Sequence, residues 1–432
     1  MTGVYNNFSS IDNIFLKASI ILVCLVPFGM ALGGFFPEVF LLLSFLFVFK
    51  DIYKKKNKYF KKKFIFFFFI FYLYILLNSF FKNFSYFPTF KEYLIDQKSI
   101  IFFFRYSFYF ILIWYLFDIL RSFKKIFFKT ILVTILLIGL DALYQYFNGV
   151  NLVGLSRINE HRLSGIFNDE YILGSYLLRI YFVLLPLYLF FFELKEKKYQ
   201  YIYLLINLFF FILIFLSGER TAFYLFFITL IISFITIKEI NLKIIFQAFI
   251  VFVATIFITI SADTKIEQRM IYTTYDDFFN KNTNKVYFFT KIHHDHYMSA
   301  KLMLRDNFLT GIGTRMFKYE CKKSKYSYYK NRCENHPHNY YVQIFSETGI
   351  LGGIFILSLL AVVFFNFIFL FFKSKNNLNY NKILIVSFVI LIFPLAPHAN
   401  FFNNWIIILN LLPLSLYYHF KNSNLNKFNE LF

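Results

Sequence analysis

Twelve apolar runs, each near the length that crosses a bilayer, constrain this chain more than any other feature. A membrane-spanning α-helix needs about 17–25 predominantly apolar residues. The runs lie at 13–32, 34–50, 64–81, 99–120, 130–147, 171–192, 200–217, 221–237, 245–262, 347–372, 383–398 and 404–419. Charged residues make up only 16% of the chain, against about 25% in a typical soluble domain. We therefore expect an all-α polytopic membrane protein of about twelve transmembrane helices.

Basic residues between the runs predict the orientation of the chain. The positive-inside rule assigns short Lys- and Arg-rich segments to the cytoplasm. Those segments are 51–63, 121–129, 194–199, 238–243, 373–382 and the C-terminal tail. With twelve spans, both termini then lie in the cytoplasm. The first apolar run lacks a preceding basic region, so we expect a retained span rather than a cleaved signal peptide.

The same orientation divides the chain into three parts. Residues 1–262 hold nine transmembrane helices, residues 263–346 form one large exported loop with short helices, and residues 347–432 hold three more helices and a tail. Seven of the eight histidines fall on the exported side. Because histidine titrates near neutral pH, we expect acid–base chemistry on that side. The net charge of +21 resides largely in anchoring loops, which argues against a nucleic-acid partner.

The most specific stretch begins at Pro337, which suits the first turn of a helix because proline lacks an N–H there. His338 and Asn339 would then lie in that turn. The positive end of a helix disfavours an imidazolium, so a histidine held there stays neutral and can act as a general base. Asn339, Gln343 and Glu347 follow at helical spacing and predict a polar stripe that faces the bundle interior.

A purely structural interpretation of this stretch is equally open. The polar residues would then cap a helix, and Gly349 and Gly353, four residues apart, would let two membrane helices approach closely. Glu347 lies nine residues after His338, on roughly the opposite helix face, so we do not expect it to orient that histidine.

Other polar groups of the large loop have simpler interpretations. The run from His293 to His296 lacks a complementary ligand pattern, so we expect a solvated loop rather than a metal site. Cys321 and Cys333 can form a disulfide if the loop is exported, but sequence alone does not fix their pairing.

The motif around His338 resembles the signature of the O-antigen ligase and polymerase superfamily, which is His-Asn, nine residues, then Gly-x-x-Gly. Here the pattern is His338-Asn339 followed by Gly349 and Gly352. Three further segments resemble family segments and occur in family order. They are Arg162-Leu-Ser-Gly-Ile-Phe, Ser217-Gly-Glu-Arg220-Thr-Ala and Gly311-Ile-Gly-Thr-Arg315-Met-Phe.

The resemblance implies a GT-C-like glycosyltransferase of the bacterial inner membrane, with its active site in the periplasm and no metal or other cofactor. Such enzymes transfer a glycan from an undecaprenyl-diphosphate carrier to an acceptor. His338 would deprotonate the acceptor hydroxyl, with Asn339 and His336 beside it in the substrate site. Arg162 and Arg220 would bind the diphosphate, because guanidinium groups suit the charge that builds on it.

Three more arginines are candidates for substrate binding. Arg315, in the large loop, is a third candidate for the diphosphate. Arg105 and Arg179 lie within predicted spans near the exported face, where an arginine either serves function or extends its charged end to the lipid headgroups.

Four functions remain open at this level. A ligase would use lipid A–core as the acceptor, which we favour because the histidine motif is intact and one loop is large. A polymerase would extend another lipid-linked glycan, and a third branch of the superfamily glycosylates proteins. A flippase or transporter would need charges near the membrane midplane, whereas the candidate charges here cluster at one face.

Overall fold

The computed structural model describes residues 8, 11–120, 122–280, 285–286, 289–326, 333–373 and 379–429. Parts of two predicted basic loops, residue 121 and residues 374–378, lie outside the described residues. The helices in chain order are α1 Ile14–Leu32, α2 Phe35–Lys54, α3 Lys56–Tyr59, α4 Lys63–Asn83, α5 Phe90–Ile101, α6 Arg105–Ile119, α7 Phe123–Asn148, α8 Leu173–Phe191, α9 Lys197–Leu216, α10 Arg220–Thr236, α11 Leu242–Ala262, α12 Thr264–Glu267, α13 Thr273–Phe278, α14 Lys291–Asp306, α15 Phe317–Glu320, α16 Tyr340–Lys373, α17 Asn379–Leu391 and α18 Asn404–Asn429.

Short elements complete the described secondary structure. Single 3-10 turns lie at Phe84–Tyr86 and Gly165–Phe167, and one π-helical turn lies at Gln268–Tyr272. The strands β1 Phe279–Asn280 and β2 Lys285–Val286 pair antiparallel. Helices thus make up nearly all of the regular structure described.

Eight helical stretches are long and apolar enough to cross a membrane. They are Ile14–Leu32, Lys63–Tyr86, Phe90–Ile119, Phe123–Asn148, Leu173–Phe191, Lys197–Leu216, Leu242–Ala262 and Tyr340–Phe365. Helices α10 and α17 are apolar but shorter, and α2 and α18 coincide with the two remaining apolar runs. The prediction of an all-α polytopic membrane protein is confirmed, while the count of twelve spans remains a prediction.

Helix α8 lies at the centre of the bundle. Its spanning window is 83% buried, against 17% for α11, and it packs on α7, α9, α10, α17 and α18. The exposed apolar side chains of α11 therefore face the surroundings, as expected of a helix whose outer face meets lipid.

Helix α16 is broken at Gly349, where φ is 67° and ψ is −167°. A positive φ is accessible to glycine and costly for other residues. The expectation that Gly349 and Gly353 form a packing motif on one continuous helix is therefore wrong at Gly349. This glycine instead allows α16 to open one turn of its backbone to another part of the chain.

The segment 308–313 fills the break in α16. Its backbone forms the hydrogen bonds that the backbone N–H and C=O groups of α16 lose at the break. These buried backbone groups are therefore paired. The hydrogen bonds are Ile312 N to Ser346 O at 3.0 Å, Gly313 N to Glu347 O at 2.9 Å and Ile350 N to Phe308 O at 2.9 Å. The large loop is thereby joined to a membrane helix along its backbone.

Two asparagines of α4 hold the inserted segment from its other side. Asn78 Nδ2 donates to Thr310 O at 2.6 Å, and Asn78 Oδ1 accepts from Thr314 N at 3.0 Å. Asn83 Nδ2 donates to Thr314 O at 2.8 Å. Both asparagine side chains are buried, so α4 fixes the position of the chain that leads into α15.

Candidate functional site

His338 lies just before α16, with a positive φ of 55°. Asn339 caps the helix, because its Oδ1 accepts from Tyr341 N at 3.0 Å and Val342 N at 3.2 Å. The helix therefore begins after His338, and the expectation that Pro337 opens its first turn is wrong. The predicted polar stripe is present: Asn339, Gln343 and Glu347 are all buried.

The positive φ of His338 is supported by its neighbour in space. The carbonyl oxygen of His338 accepts from His398 N at 2.7 Å. A left-handed backbone is uncommon for a residue other than glycine, and such conformations concentrate at functional sites. This conformation turns the imidazole away from α16 and toward the large loop.

Glu334 is the closest polar partner of the His338 side chain. One oxygen of its carboxylate bonds to His338 Nε2, and this bond is the main cause that lowers the pKa of Glu334 to about 2. An ionised carboxylate only accepts hydrogen bonds, so Nε2 carries the hydrogen and Nδ1 is the basic nitrogen of neutral His338. Sequence analysis had found no orienting partner for this histidine.

A disulfide adjoins Glu334. Cys321 and Cys333 are paired, with their Cα atoms 5.7 Å apart. This pairing was left open by the sequence. It ties the chain immediately before Glu334 to the end of α15, which restricts where the carboxylate can lie.

Three more histidines surround His338. The ring centre of His336 is 4.2 Å from that of His338, and those of His293 and His296 are 5.5 and 5.6 Å away. His293 and His296 lie on α14, which packs along α16. The expectation of a solvated loop at 293–296 is wrong, because Thr290 caps a helix whose polar face packs inward.

Two of the neighbouring histidines, His293 and His336, are neutral at pH 7. Burial lowers the pKa of His293 to about 4, and the nearby charge of His338 lowers it further. Burial likewise lowers the pKa of His336 to about 3. His336 also contacts His398 O through Nε2 at 3.3 Å. His338 therefore lies beside two imidazoles that are neutral at pH 7.

The predicted diphosphate-binding segments pack directly on one another. Gly218 has φ 65°, and a Cβ built there would lie 2.6 Å from His161 O and 3.3 Å from Arg162 Cγ. Only glycine allows the turn before α10 to approach the segment around Arg162 so closely. Arg162 and Arg220 thus come from distant parts of the sequence to one place.

Arg162 and Arg220 have different partners there. Arg162 donates to the backbone carbonyl oxygen of Tyr171 at 2.9 Å. Its guanidinium group also lies 4.5 Å from the centre of the Tyr171 ring. Arg220 forms an ion pair with Asp277 at 2.7 Å. The positive charge of Arg220 is also near enough to His293 to contribute to its lowered pKa. This proximity links the arginines to the histidine cluster.

Arg269 is a third member of the group that sequence analysis missed. Its Nε donates to Gly218 O at 3.3 Å. Burial lowers its pKa to about 10, with the charges of Arg220 and Arg162 as the next causes. At pH 7 three guanidinium groups are therefore charged and close together. No motif marks Arg269, because it stands in an unremarkable part of the large loop.

Arg179 lies beneath the histidine cluster. It donates to Ser175 O at 2.9 Å, and its charge is the second cause, after burial, that lowers the pKa of His398 to about 3. Glu219 accepts from both the backbone and the hydroxyl of Ser175, at 3.2 and 2.6 Å. Ser175 thus connects Arg179 to the turn that carries Arg220.

Arg105 and Arg315 have other surroundings. Arg105 forms a two-pronged ion pair with Glu38, with a shortest distance of 2.7 Å. Arg315 has φ 62° and donates through Nη1 to Asp96 O and Ser99 Oγ, both at 2.7 Å. The described contacts of Arg105 and Arg315 do not connect them to Arg162 or Arg220. Their predicted roles in substrate binding remain predictions.

Across the described ranges, no group of three or more His, Cys, Asp and Glu side chains is arranged to hold a metal ion. The His293–His296 run on α14 contributes to the cluster through hydrogen bonding and ring packing instead.

One comparison with known proteins finds a similarity to a family model. Residues 205–357 match the family model described as O-antigen ligase. The matched region contains Arg220, Arg269, Glu334 and His338, whereas Arg162 precedes it. No curated protein matches the chain significantly.

Proposed function

From the O-antigen ligase domain that residues 205–357 form, we propose that this chain is a glycosyltransferase. It transfers a glycan from undecaprenyl diphosphate to a hydroxyl of lipid A–core. The observation that carries this proposal is the hydrogen bond between Glu334 and His338, which leaves Nδ1 of His338 as the basic nitrogen. The segments that carry Arg162, Arg220 and Arg269 also pack against one another around Gly218. The chain thus holds both a group suited to deprotonate an alcohol and groups suited to a diphosphate.

His338 is the general base of the proposed reaction. Its Nδ1 takes the proton of the acceptor hydroxyl while Glu334 holds Nε2–H and stabilises the imidazolium that forms. The acceptor oxygen attacks the anomeric carbon of the donor glycan. The bond between that carbon and the diphosphate oxygen breaks, and its electron pair leaves with the diphosphate.

The three arginines bind the leaving group. Negative charge accumulates on the diphosphate as the glycosidic bond breaks, and preorganised guanidinium groups stabilise that charge. Arg162 and Arg220 were expected in this role, and Arg269 joins them because it lies beside both. Asp277 forms an ion pair with Arg220. This pair reduces the repulsion among the three positive charges before the substrate binds.

The proposed location is the bacterial inner membrane, with both termini in the cytoplasm and the site in the periplasm. Short basic segments on one side of the apolar runs support this orientation. The disulfide between Cys321 and Cys333 also supports it, because disulfides persist in oxidising compartments such as the periplasm.

Transfer by purified protein tests the proposal. The assay combines undecaprenyl-diphosphate-linked glycan with lipid A–core in the presence of EDTA. We expect product on the core, and we expect His338→Ala to lower its rate by at least about 100-fold. His161→Ala is a matched control, because His161 is exposed and bonds to Lys265 O at 3.0 Å.

Other products would redirect the proposal. Longer lipid-linked chains without core product would indicate the polymerase branch of the superfamily. Transfer that persists unchanged in His338→Ala would refute the role of this histidine. Lack of transfer to either acceptor would contradict the ligase proposal and direct attention to protein acceptors or to flipping of the lipid-linked glycan.

A further inference from the structure

An open groove lies beside α5 and is lined in part by Tyr319 of α15. Its volume is about 510 Å³, within the range of about 300–1,000 Å³ that is usual for small-molecule sites. Its walls combine aromatic rings, carboxylates and cationic groups. The lining of the groove includes Tyr86, Phe87, Glu92, Asp96, Arg315 and Tyr319.

Aromatic rings form one wall of the groove. The ring centre of Tyr319 lies 5.1 Å from that of Tyr86 and 5.9 Å from that of Phe87. Tyr86 is 42% exposed, so much of its ring is open to a ligand. The C–H groups on one face of a pyranose ring pack well on such aromatic surfaces, while its hydroxyls remain free for hydrogen bonds.

Polar groups complete the groove. Asp96 fixes its floor, because its Oδ1 accepts from Lys318 Nζ at 2.5 Å and from Tyr319 OH at 2.8 Å. Arg315 uses Nη1 in its hydrogen bonds to Asp96 O and Ser99. Within the described residues the other two guanidinium nitrogens, Nε and Nη2, form no hydrogen bond. A few fixed polar groups beside aromatic rings are the usual means of orienting a small ligand.

The groove connects to His338 through α15 and the disulfide. Lys318, which bonds to Asp96, has its carbonyl oxygen 3.7 Å from Cys333 Sγ. Glu334, the partner of His338, is the next residue. The lining of the groove contains none of the three arginines Arg162, Arg220 and Arg269. The groove and the proposed diphosphate site are therefore formed by separate sets of residues.

We propose that this groove binds the sugar rings of the acceptor glycan. This inference rests on the proposed function, which assigns the donor diphosphate to the arginines. The acceptor hydroxyl must approach the anomeric carbon from the side away from that diphosphate. A groove that adjoins α15, whose Phe317 packs on His296 of the histidine cluster, and whose lining lacks the three arginines suits the acceptor rather than the donor.

Kinetics and binding with the full chain in lipid nanodiscs test this inference. The variants are Tyr319→Leu, which removes the ring, and Tyr319→Phe, which keeps it but loses the hydroxyl. Tyr86→Ala provides an independent change. Tyr224→Ala is the matched control, because Tyr224 is an exposed tyrosine of α10 outside the groove. The binding probe is the soluble oligosaccharide of lipid A–core, freed of its acyl chains.

We expect Tyr319→Leu and Tyr86→Ala to raise the acceptor KM and the Kd for the oligosaccharide by about tenfold. The donor KM and kcat should stay within about twofold, since those variants leave the arginines and His338 intact. Tyr319→Phe and Tyr224→Ala should resemble the wild type. A rise in donor KM alone would assign the groove to the donor glycan and overturn the inference, as would unchanged constants throughout.

The binding measurement separates this inference from the proposed function. If the wild-type protein shows no transfer, the proposed function fails, but the oligosaccharide can still bind. Binding that Tyr319→Leu weakens and His338→Ala preserves would then support a glycan site in the groove. Absence of binding, or binding that Tyr319→Leu leaves unchanged, would refute it.

Discussion

Glu334 accepts a hydrogen bond from His338 Nε2, four residues further along the chain. The two residues are joined by an irregular segment rather than a helix, and the left-handed backbone of His338 brings its imidazole to the carboxylate. The pair resembles the carboxylate–histidine arrangement in which one ring nitrogen is fixed and the other acts as a base. This relationship leads to the first prediction.

Replacing Glu334 by glutamine should lower kcat by about 10–100-fold, because the amide cannot stabilise a charged imidazole as the carboxylate does. The pH–rate profile should also change, because the carboxylate that faces the imidazole of His338 is gone. The measurement is kcat against pH for both proteins. Glu193→Gln, at a side chain that is 81% exposed, should leave the profile unchanged. A uniform loss of rate without a shift would indicate a structural role only.

Replacing Arg269 by glutamine should lower kcat/KM for the lipid-linked donor by about 10–100-fold, because one of three charges facing the diphosphate is lost. Arg269→Lys should recover part of this loss. Initial rates at varied donor concentration measure the effect. Arg305→Gln is the control, because Arg305 lies in the same loop, with a side chain that is 71% exposed. Equal effects of the two glutamine variants would exclude a specific role for Arg269.

Replacing Gly349 by alanine should destabilise the protein by about 2–4 kcal/mol. The new methyl group would combine a positive φ with a clash against the backbone of Leu309. Gly149→Ala separates the two causes, since Gly149 has φ 75° but its Cβ would meet nothing within 4 Å. That control should cost only about 1 kcal/mol. Thermal unfolding in detergent measures both, and equal losses would show that the clash contributes nothing.

The fold should lose stability as the pH falls from about 6.5 toward 4. His293 and His336 have lowered pKa values of about 4 and 3 in the folded protein, whereas unfolded histidine titrates near 6.5. Between these pH values the two histidines are protonated in the unfolded chain but remain neutral in the folded protein. Unfolding therefore becomes more favourable as the pH falls. We expect the unfolding temperature to fall by about 5 °C between pH 7 and pH 4.

The double variant His293→Gln/His336→Gln tests the origin of that pH dependence. Without the two imidazoles, the fall in unfolding temperature over this range should become smaller. Glu334 adds a separate contribution at lower pH, because its pKa of about 2 means that its stabilisation is lost between about pH 4 and pH 2. A pH dependence that the double variant leaves intact would contradict the assignment to these histidines.

The sequence predicts the helical content and the buried polar stripe of α16 well, for reasons that are local. Apolar runs identify spanning helices because lipid requires every backbone group to be paired within the helix. The buried stripe of Asn339, Gln343 and Glu347 follows from helical spacing alone. Arg162 and Arg220 were expected together because both lie on segments predicted to be exported. Gly218 brings those two segments into contact.

The remaining parts of the site depend on contacts between distant segments. Glu334 pairs with His338 only because the backbone at 338 is left-handed, and no periodic pattern encodes that conformation. Arg269 lacks a motif, and its importance comes from neighbours about 50 and 100 residues earlier in the chain. The 293–296 run was interpreted as a solvated loop because its residues are polar. In the structure it belongs to an amphipathic helix, α14, that packs on α16.

The insertion of segment 308–313 into α16 sets the order in which the protein is completed during synthesis. Asn78 of α4 hydrogen-bonds to Thr310, which is synthesised 232 residues later. The backbone groups of α16 that pair with segment 308–313 are synthesised after both. His338, Glu334 and the arginines of the proposed site therefore reach their final positions only after α16 has been synthesised. A truncated or wrongly inserted product lacks a competent site, so activity reports on complete assembly.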